Sequence, residues 1–335
     1  MKKLLITEKN GLSKSILEAL KGVNGYADMH SIAFNAYTSL QFNIPRHLNF
    51  SDVPFNMTPR YKLNPALFFA VEREGKARRF FSEGISQVDA INQLREYILS
   101  FDEVIFAMDA DHSGQFSGFN AMSYLGIDLF SDKHRHMLIS CLSEKGILKS
   151  FHASSSKETL SQVNRHVQKG MIKRYFDYNW LINSLPISQK LMKETATPER
   201  VLTKGHIQTL MLLKTIDAPI RDGKLLNEMD KAKGTGKYPA FQIGSPASSS
   251  AIVLQLIEDG LIQECKIEGR NHLYLSKQGE EILNRLHPKF KDPDLIGRLN
   301  HWMDTAVCEE SVETNKQAIR RYLNKSFVRQ KNFMK

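Results

Sequence analysis

Residues 101–115 read FDEVIFAMDADHSGQ, and the fold class turns on this stretch. Phe101 to Met108 reads as a buried strand, apolar from Val104 onward, that ends in Asp109-Ala110-Asp111, and Ser117 to Leu125 then reads as a helix. A run without polar alternation is what a parallel strand covered on both faces requires. Lys2 to Thr7 is a second such run, closed by Glu8. Gly11 leads from it into a helix over Leu12–Lys21, where Leu12, Ile16, Ala19 and Leu20 recur at helical spacing. Val88 to Leu99 predicts an amphipathic helix with Val88, Ile91, Leu94, Ile98 and Leu99 on its apolar face. Strand, helix, excursion, helix, strand, helix is the order of an α/β unit with a parallel sheet. Such sheets place their sites at the carboxyl ends of the strands.

Outward from this unit the pattern changes. Residues 25–80 hold Pro45, Pro54, Pro59 and Pro65 among many aromatics, and read as irregular. Tyr61, Phe68, Phe69, Phe80 and Phe81 are expected in the core rather than as a base-stacking platform. Residues 135–215 read as mostly helical, broken at Pro186 and Pro198, with His134 and His136 at the surface near a helix start. Residues 217–240, rich in Gly, Lys and Asp, read as a linker or mobile loop. A helix over Ser248–Asp259, strands over Leu261–Ile267 and His272–Leu275 around a turn at 268–271, and a helix over Lys277–Leu286 follow. That order suggests a winged-helix element. The tail after Thr314 carries Lys316, Arg320, Arg321, Lys325, Arg329, Lys331 and Lys335 and no acid. It reads equally as a phosphate-contacting arm or a frayed, solvated end. The expected organisation is an α/β domain over 1–130, a mainly helical part over 131–216, a linker over 217–240, a winged-helix-like continuation over 241–313 and a basic tail over 314–335.

The chain has 335 residues, of which 41% are hydrophobic, and 46 Lys and Arg against 36 Asp and Glu give a formal net charge of +10. A folded, basic protein of this kind favours a polyanionic partner, because Lys and Arg displace counterions condensed on nucleic acid. Cys141, Cys265 and Cys308 are far apart and odd in number, which points to neither a disulfide framework nor a zinc ribbon. The apolar stretch at the N-terminus is too short for a signal peptide or a membrane span, so a cytoplasmic protein is expected.

Glu8 at one strand end and Asp109 and Asp111 at another can gather oxygen ligands around Mg²⁺, which needs few protein ligands and keeps several waters. Such an ion would neutralise charge on a phosphodiester, and Lys9 would add a cation near phosphate. Acidic residues at strand ends are also often plain solvated loop residues. Trp180 and Trp302 lie in apolar contexts and are expected to pack.

LLITEKN (4–10) and VIFAMDADHSGQ (104–115) together resemble the Toprim domain of type IA DNA topoisomerases, whose signature continues Asp-x-Asp-x-Glu-Gly-Glu. HMLISCLSEKGILKSF (136–151), NWLINSLPIS (179–188), LTKGHIQTLMLL (202–213) and FQIGSPASSSAIVLQLIEDGLI (241–262) resemble further blocks of that family, in the family's order, with the topoisomerase III branch nearest. The resemblance implies a Toprim domain plus a mainly α-helical domain with a winged-helix-like element, the core of a type IA topoisomerase. It implies Glu8 and Lys9 as catalytic residues and Glu8, Asp109 and Asp111 as Mg²⁺ ligands. It implies DNA contacts from His206, Gln208, Thr209, Ser248 and Ser249, with Arg320 and Arg321 added by the basic tail.

The chain also departs from the family. Only Met211 to Ile243 separate blocks between which the family inserts its arch and attacking tyrosine, so the arch has no room. Tyr238 is the one tyrosine in that connection and the candidate for a substitute nucleophile, but nothing in the sequence positions Lys233 or Lys237 to activate it, and a linker residue is the plainer reading. The family's last two acids are replaced by Ser113 and Gln115, its Gly-Arg-Val-Gln arginine by His206, and its Asp-Trp-Leu aspartate and following glycine by Asn179 and Asn183. Histidine lacks the permanent charge and bidentate fork of arginine. Three functions stay open. The first is a type IA topoisomerase-like protein that binds single-stranded DNA between its Toprim and helical domains without passing strands alone. The second is a Mg²⁺-dependent Toprim nuclease, or half of a split topoisomerase whose tyrosine domain a second protein supplies. The third is a protein–protein adaptor in a DNA-processing complex.

Overall fold

The computed structural model describes residues 1–34, 40–43, 56–63, 69–71, 77–79, 84–192, 201–234, 238 and 241–334. The chain divides into two compact units. The first comprises Met1–Asn43, Arg60–Ile172 and Ala306–Val312; the second comprises Ile44–Pro59, Lys173–Thr305 and Glu313–Lys335.

The first unit is built on β1 (Lys3–Thr7), α1 (Asn10–Leu20), β2 (His30–Ala33), β3 (Leu40–Phe42), β4 (Tyr61–Leu63), β5 (Phe69–Val71), β6 (Ala77–Arg79), α2 (Gln87–Leu99), β7 (Glu103–Asp109), α3 (His112–Tyr124), β8 (His134–Ile139) and α4 (Glu144–Ala153). A six-stranded sheet has the order β6-β5-β2-β1-β7-β8, while β3 and β4 pair separately. β1 runs parallel to β2 and β7, and β7 parallel to β8; β5 and β6 join antiparallel. The alternation of side chains along a strand explains the layers. Leu4, Ile6, Val104, Phe106 and Met108 face a core with Leu94 and Ile98 of α2 and Ala121 and Met122 of α3. Leu5, Ile105 and Ala107 face the opposite core with Leu12, Ile16 and Leu20 of α1 and Ile147 and Phe151 of α4. Both faces are covered, as the apolar runs require.

Several expectations are corrected here. Residues 25–80 contain five strands among those described, each of three or four residues and too short to show a period between the prolines. Of the aromatics expected in the core there, Tyr61 packs partly buried against the first core, while Phe68, Phe80, Phe81 and the side chain of Phe69 lie outside the described residues. On α2 the buried face is Ala90, Leu94 and Ile98, and Val88 and Leu99 are exposed. Residues 134–139 are a parallel strand, not a helix start. His136 is 1% exposed, its ring stacked on Phe106 at 5.6 Å and its Nε2 3.1 Å from the Leu129 carbonyl oxygen. Burial pushes its pKa down to about 4, so a neutral imidazole serves as a core ring.

Helix α5 (Lys157–Met192) contributes to both units. Pro186 lies inside it and does not break it. Ile182, Ile187, Leu191 and Met192 of that helix are buried, which outweighs the roughly 3 kcal/mol that an interior proline costs. In the first unit its Val163 and Val167 pack on Phe116 of α3.

The second unit continues with α6 (Lys204–Ile216), β9 (Ile220–Arg221), α7 (Asp222–Asp230), α8 (Pro246–Glu258), β10 (Ile262–Ile267), β11 (Arg270–Leu275), α9 (Lys277–Arg285), α10 (Leu295–Asp304) and α11 (Glu309–Phe333), the last beginning in the first unit. Much of the expected linker is therefore structured. β9 pairs antiparallel with β11, and α7 buries Leu225 and Met229. The helix–hairpin–helix order expected after residue 245 is present. β10 and β11 meet at a two-residue turn in which Glu268 and Gly269 both have positive φ, 51° and 71°, the geometry that matches strand twist. Trp180 packs in the core of this unit, stacked on Phe176 at 5.6 Å and Phe290 at 5.1 Å and edge-on to Phe327. Trp302 is also buried. The basic tail is a helix, not a frayed end: α11 buries Ile319, Leu323, Phe327 and Gln330.

Candidate functional site

The parallel register explains the main cluster. Thr7 of β1 lies opposite Ala107 of β7, so the residues after Thr7 meet those after Ala107 at the carboxyl edge of the sheet. Glu8 and Asp109 are brought together there, with Lys9 between them. Lys9 Nζ is 2.8 Å from Asp109 Oδ2 and 3.1 Å from Glu8 Oε1. The Lys9 side chain is 61% exposed, so the ammonium is held at its inner side and open at its outer side. Hydrogen bonding to Asp109 raises the Lys9 pKa, against burial.

Glu8 is 7% exposed, and its Oε2 is buried without a hydrogen-bond partner. Burial, then the charge of Asp109, push its carboxyl above the ordinary range, with Lys9 opposing. Gly114 lets this carboxylate in: a methyl group there would lie 2.6 Å from Glu8 Oε2 and 3.0 Å from the Asp109 carbonyl oxygen.

Asp111 is used differently. It is the N-cap of α3, its Oδ1 accepting from Ser113 N and Gly114 N at 2.8 Å each, which satisfies two of the helix's free donors. Gln115 is buried and its Nε2 donates to the carbonyl oxygens of Met108 and Asp109. Among the described residues no group of three or more His, Cys, Asp or Glu converges to hold a metal ion. As arranged, the donor set does not fit a divalent cation. An ammonium occupies the space between two of the three expected ligands, and the near oxygen of the third caps a helix.

The reading from sequence missed His166 of α5, whose electrostatic neighbours are Lys169, Asp111 and Arg165. Its spacing from Val163, Val167 and Gly170 on one helical face was the available signal. Gly170 sets the approach of α5 to α3, since a methyl group there would lie 2.2 Å from Phe116 Cβ.

In the second unit, three residues expected to touch DNA are buried among their own neighbours. His206, Gln208 and Thr209 are 2%, 4% and 0% exposed. His206 closes a capping box with Thr203 at the start of α6, and its Nε2 lies 2.9 Å from Gln255 Oε1. Gln208 donates to the Asp292 carbonyl oxygen and Thr209 to that of Gly205. Ser248 Oγ accepts from Ser245 N at 2.7 Å in the capping box of α8, and Ser249 is buried. Asn179 accepts from Met57 N and donates to Met57 O, a two-way bond that an aspartate, an acceptor only, does not make.

Tyr238 is anchored rather than free. Its Oη is 3.3 Å from Arg298 Nη1, and its Cβ would lie 2.6 Å from a methyl group on Gly297. Asp177, also missed from sequence although Lys173 lies at i−4, is gripped by Lys173 at 2.7 Å and by Lys204. Burial raises the Asp177 pKa, but the two ammoniums more than offset this and hold the carboxyl well below its usual range. Burial lowers the Lys204 pKa, which Asp177 partly restores. Arg320 and Arg321 are exposed on α11, as are Lys325 and Arg329. Spaced by four residues, Arg321, Lys325 and Arg329 form one row about 6 Å apart along the helix, and none has an ion-pair partner among the described residues.

Among the described residues no helix is long and apolar enough to cross a membrane. No family model matches the chain, and no curated protein matches it. Among solved structures it is similar to full-length topoisomerase I from Thermotoga maritima, with 11% identity and a TM-score of 0.38, over 95% of this chain. The chain spans 60% of the length of that enzyme.

Proposed function

We propose that this protein binds single-stranded nucleic acid through its phosphates, on a frame resembling the Toprim and helical parts of a type IA topoisomerase, and that it does not pass strands by itself. The observation that carries the reading is the cationic row on α11. A docked helix presents Arg321, Lys325 and Arg329 in line, with Arg320 beside them, all exposed. Ordered Lys and Arg released from internal pairing bind phosphates by displacing counterions. The resemblance of five sequence blocks gives the topoisomerase-like frame. Anchoring of Tyr238 on Gly297 and Arg298 supports a packing role for the only tyrosine in the short connection.

The test is fluorescence anisotropy of a labelled single-stranded DNA oligonucleotide, paired with incubation of negatively supercoiled plasmid in Mg²⁺. The expected result is salt-sensitive binding and unchanged plasmid. A ladder of relaxed topoisomers abolished by Tyr238→Phe would overturn the claim about strand passage. Nicked circles lost in Asp109→Asn would instead make the protein a nuclease, the reading favoured by the buried, unpartnered Glu8 Oε2. Absence of any DNA retention would sink the proposal and leave the adaptor reading.

A further inference from the structure

We propose that Lys9 is a built-in cation that takes the place of a divalent metal ion in the Glu8–Asp109 carboxylate pair, so that the cluster is charge-balanced without metal. The inference concerns the cluster itself and stands apart from the nucleic-acid reading. Mg²⁺ needs near-octahedral oxygen ligands at about 2.0–2.1 Å. Lys9 Nζ lies 3.1 and 2.8 Å from Glu8 Oε1 and Asp109 Oδ2, so its charge already faces both carboxylates that a divalent ion would need.

Lys9 does not reach this place from a loose loop. It is the N-cap residue of α1 in extended conformation, with φ −146° and ψ 142°. Its carbonyl oxygen accepts from Thr7 Oγ1 at 3.1 Å and from Ser13 N at 3.1 Å. The backbone is therefore pinned between strand and helix, and the side chain springs from a fixed point.

The remaining donors point the same way. One oxygen of Asp111 accepts two helix N–H groups. Ser113 and Gln115 carry no charge, and the Gln115 amide is turned inward onto two strand-end carbonyls. Glu8, Asp109 and Lys9 sum to one negative charge, whereas the two carboxylates alone would carry two. Two adjacent carboxylates with one nearly buried repel unless a proton or a cation lies with them, and Lys9 brings a cation within hydrogen-bond reach of both.

Removing the ammonium should then unmask a latent metal site. The experiment uses the full-length protein without nucleic acid: thermal melts and calorimetric titrations with MnCl2 and MgCl2 on wild type, Lys9→Met and the double variant Lys9→Met/Asp109→Asn. Wild type should show no saturable metal binding and an unmoved Tm. Lys9→Met should melt lower in EDTA and recover by roughly 5 °C in excess metal; the double variant should lose that recovery. Saturable binding of either metal by wild type would overturn the proposal, as would a folded Lys9→Met protein that melts identically with and without metal. If Lys9→Met does not fold, Lys9→Gln replaces it, and the wild-type titration decides alone. Because no DNA is present, these outcomes are independent of the nucleic-acid reading.

Discussion

At the residue scale, the first unit's site depends on what is missing as much as on what is charged. Gly114 leaves room for Glu8, and no other side chain fits 2.6 Å from its Oε2. Gly114→Ala should therefore destabilise the protein by about 1–3 kcal/mol through overpacking, more than the helix gains from alanine, at most about 1 kcal/mol. A lower urea midpoint at unchanged m-value would show it. His136 yields a pH prediction. Its pKa is depressed to about 4 in the folded protein, against about 6.5 when unfolded. Between these values the unfolded chain binds the extra proton, so stability is complete above pH 6.5 and falls as the pH drops towards 4. The loss is on the order of 3 kcal/mol, with His134, lowered by burial in the same strand, adding to it. His136→Phe should keep the ring against Phe106 and flatten the decline in Tm between pH 7 and 5.

At the element scale, α11 changes most between sequence and structure. Read linearly it is a basic tail; folded, it is a helix with Ile319, Leu323, Phe327 and Gln330 inward and Arg321, Lys325 and Arg329 outward. Replacing the three cations by alanine should leave the melting temperature within a degree or two, because surface changes are usually within about ±0.5 kcal/mol. It should reduce the slope of log affinity against log salt for single-stranded DNA by about 2, at roughly 0.7 per phosphate contact. An unchanged slope would remove α11 from the binding surface. β8 and the α7 stretch carry the same lesson. HRHMLI opens with three polar residues in a row, yet it is a strand beside β7, because Met137 and Ile139 complete one core while His136 joins the other side.

At the scale of the whole molecule, a formal charge of +10 sets the response to ionic strength. With three phosphate contacts from the α11 row, affinity for single-stranded DNA should fall roughly twentyfold between 50 and 200 mM salt. Anisotropy titrations across that range check it, and a flat profile would mean that binding is not made through phosphates.

Some of this protein was legible in its residues alone. The runs at 2–7 and 101–108 announced a parallel sheet because burial on both faces leaves no polar alternation, and the termini of those runs announced Glu8 and Asp109 as neighbours at a strand edge. Helix and hairpin patterns from 246 to 285 were legible for a similar reason: periodicity and turn chemistry act over a few residues. Only the tertiary structure decided which polar groups are spent. Packing around α6 encloses His206, Gln208 and Thr209, and one oxygen of Asp111 caps the start of α3. Lys9 read as a companion to a metal until the register of β1 and β7 set it between two carboxylates. Hydrogen bonds and charge pairs join residues 49 and 100 positions apart, and a linear pattern carries no record of such distances.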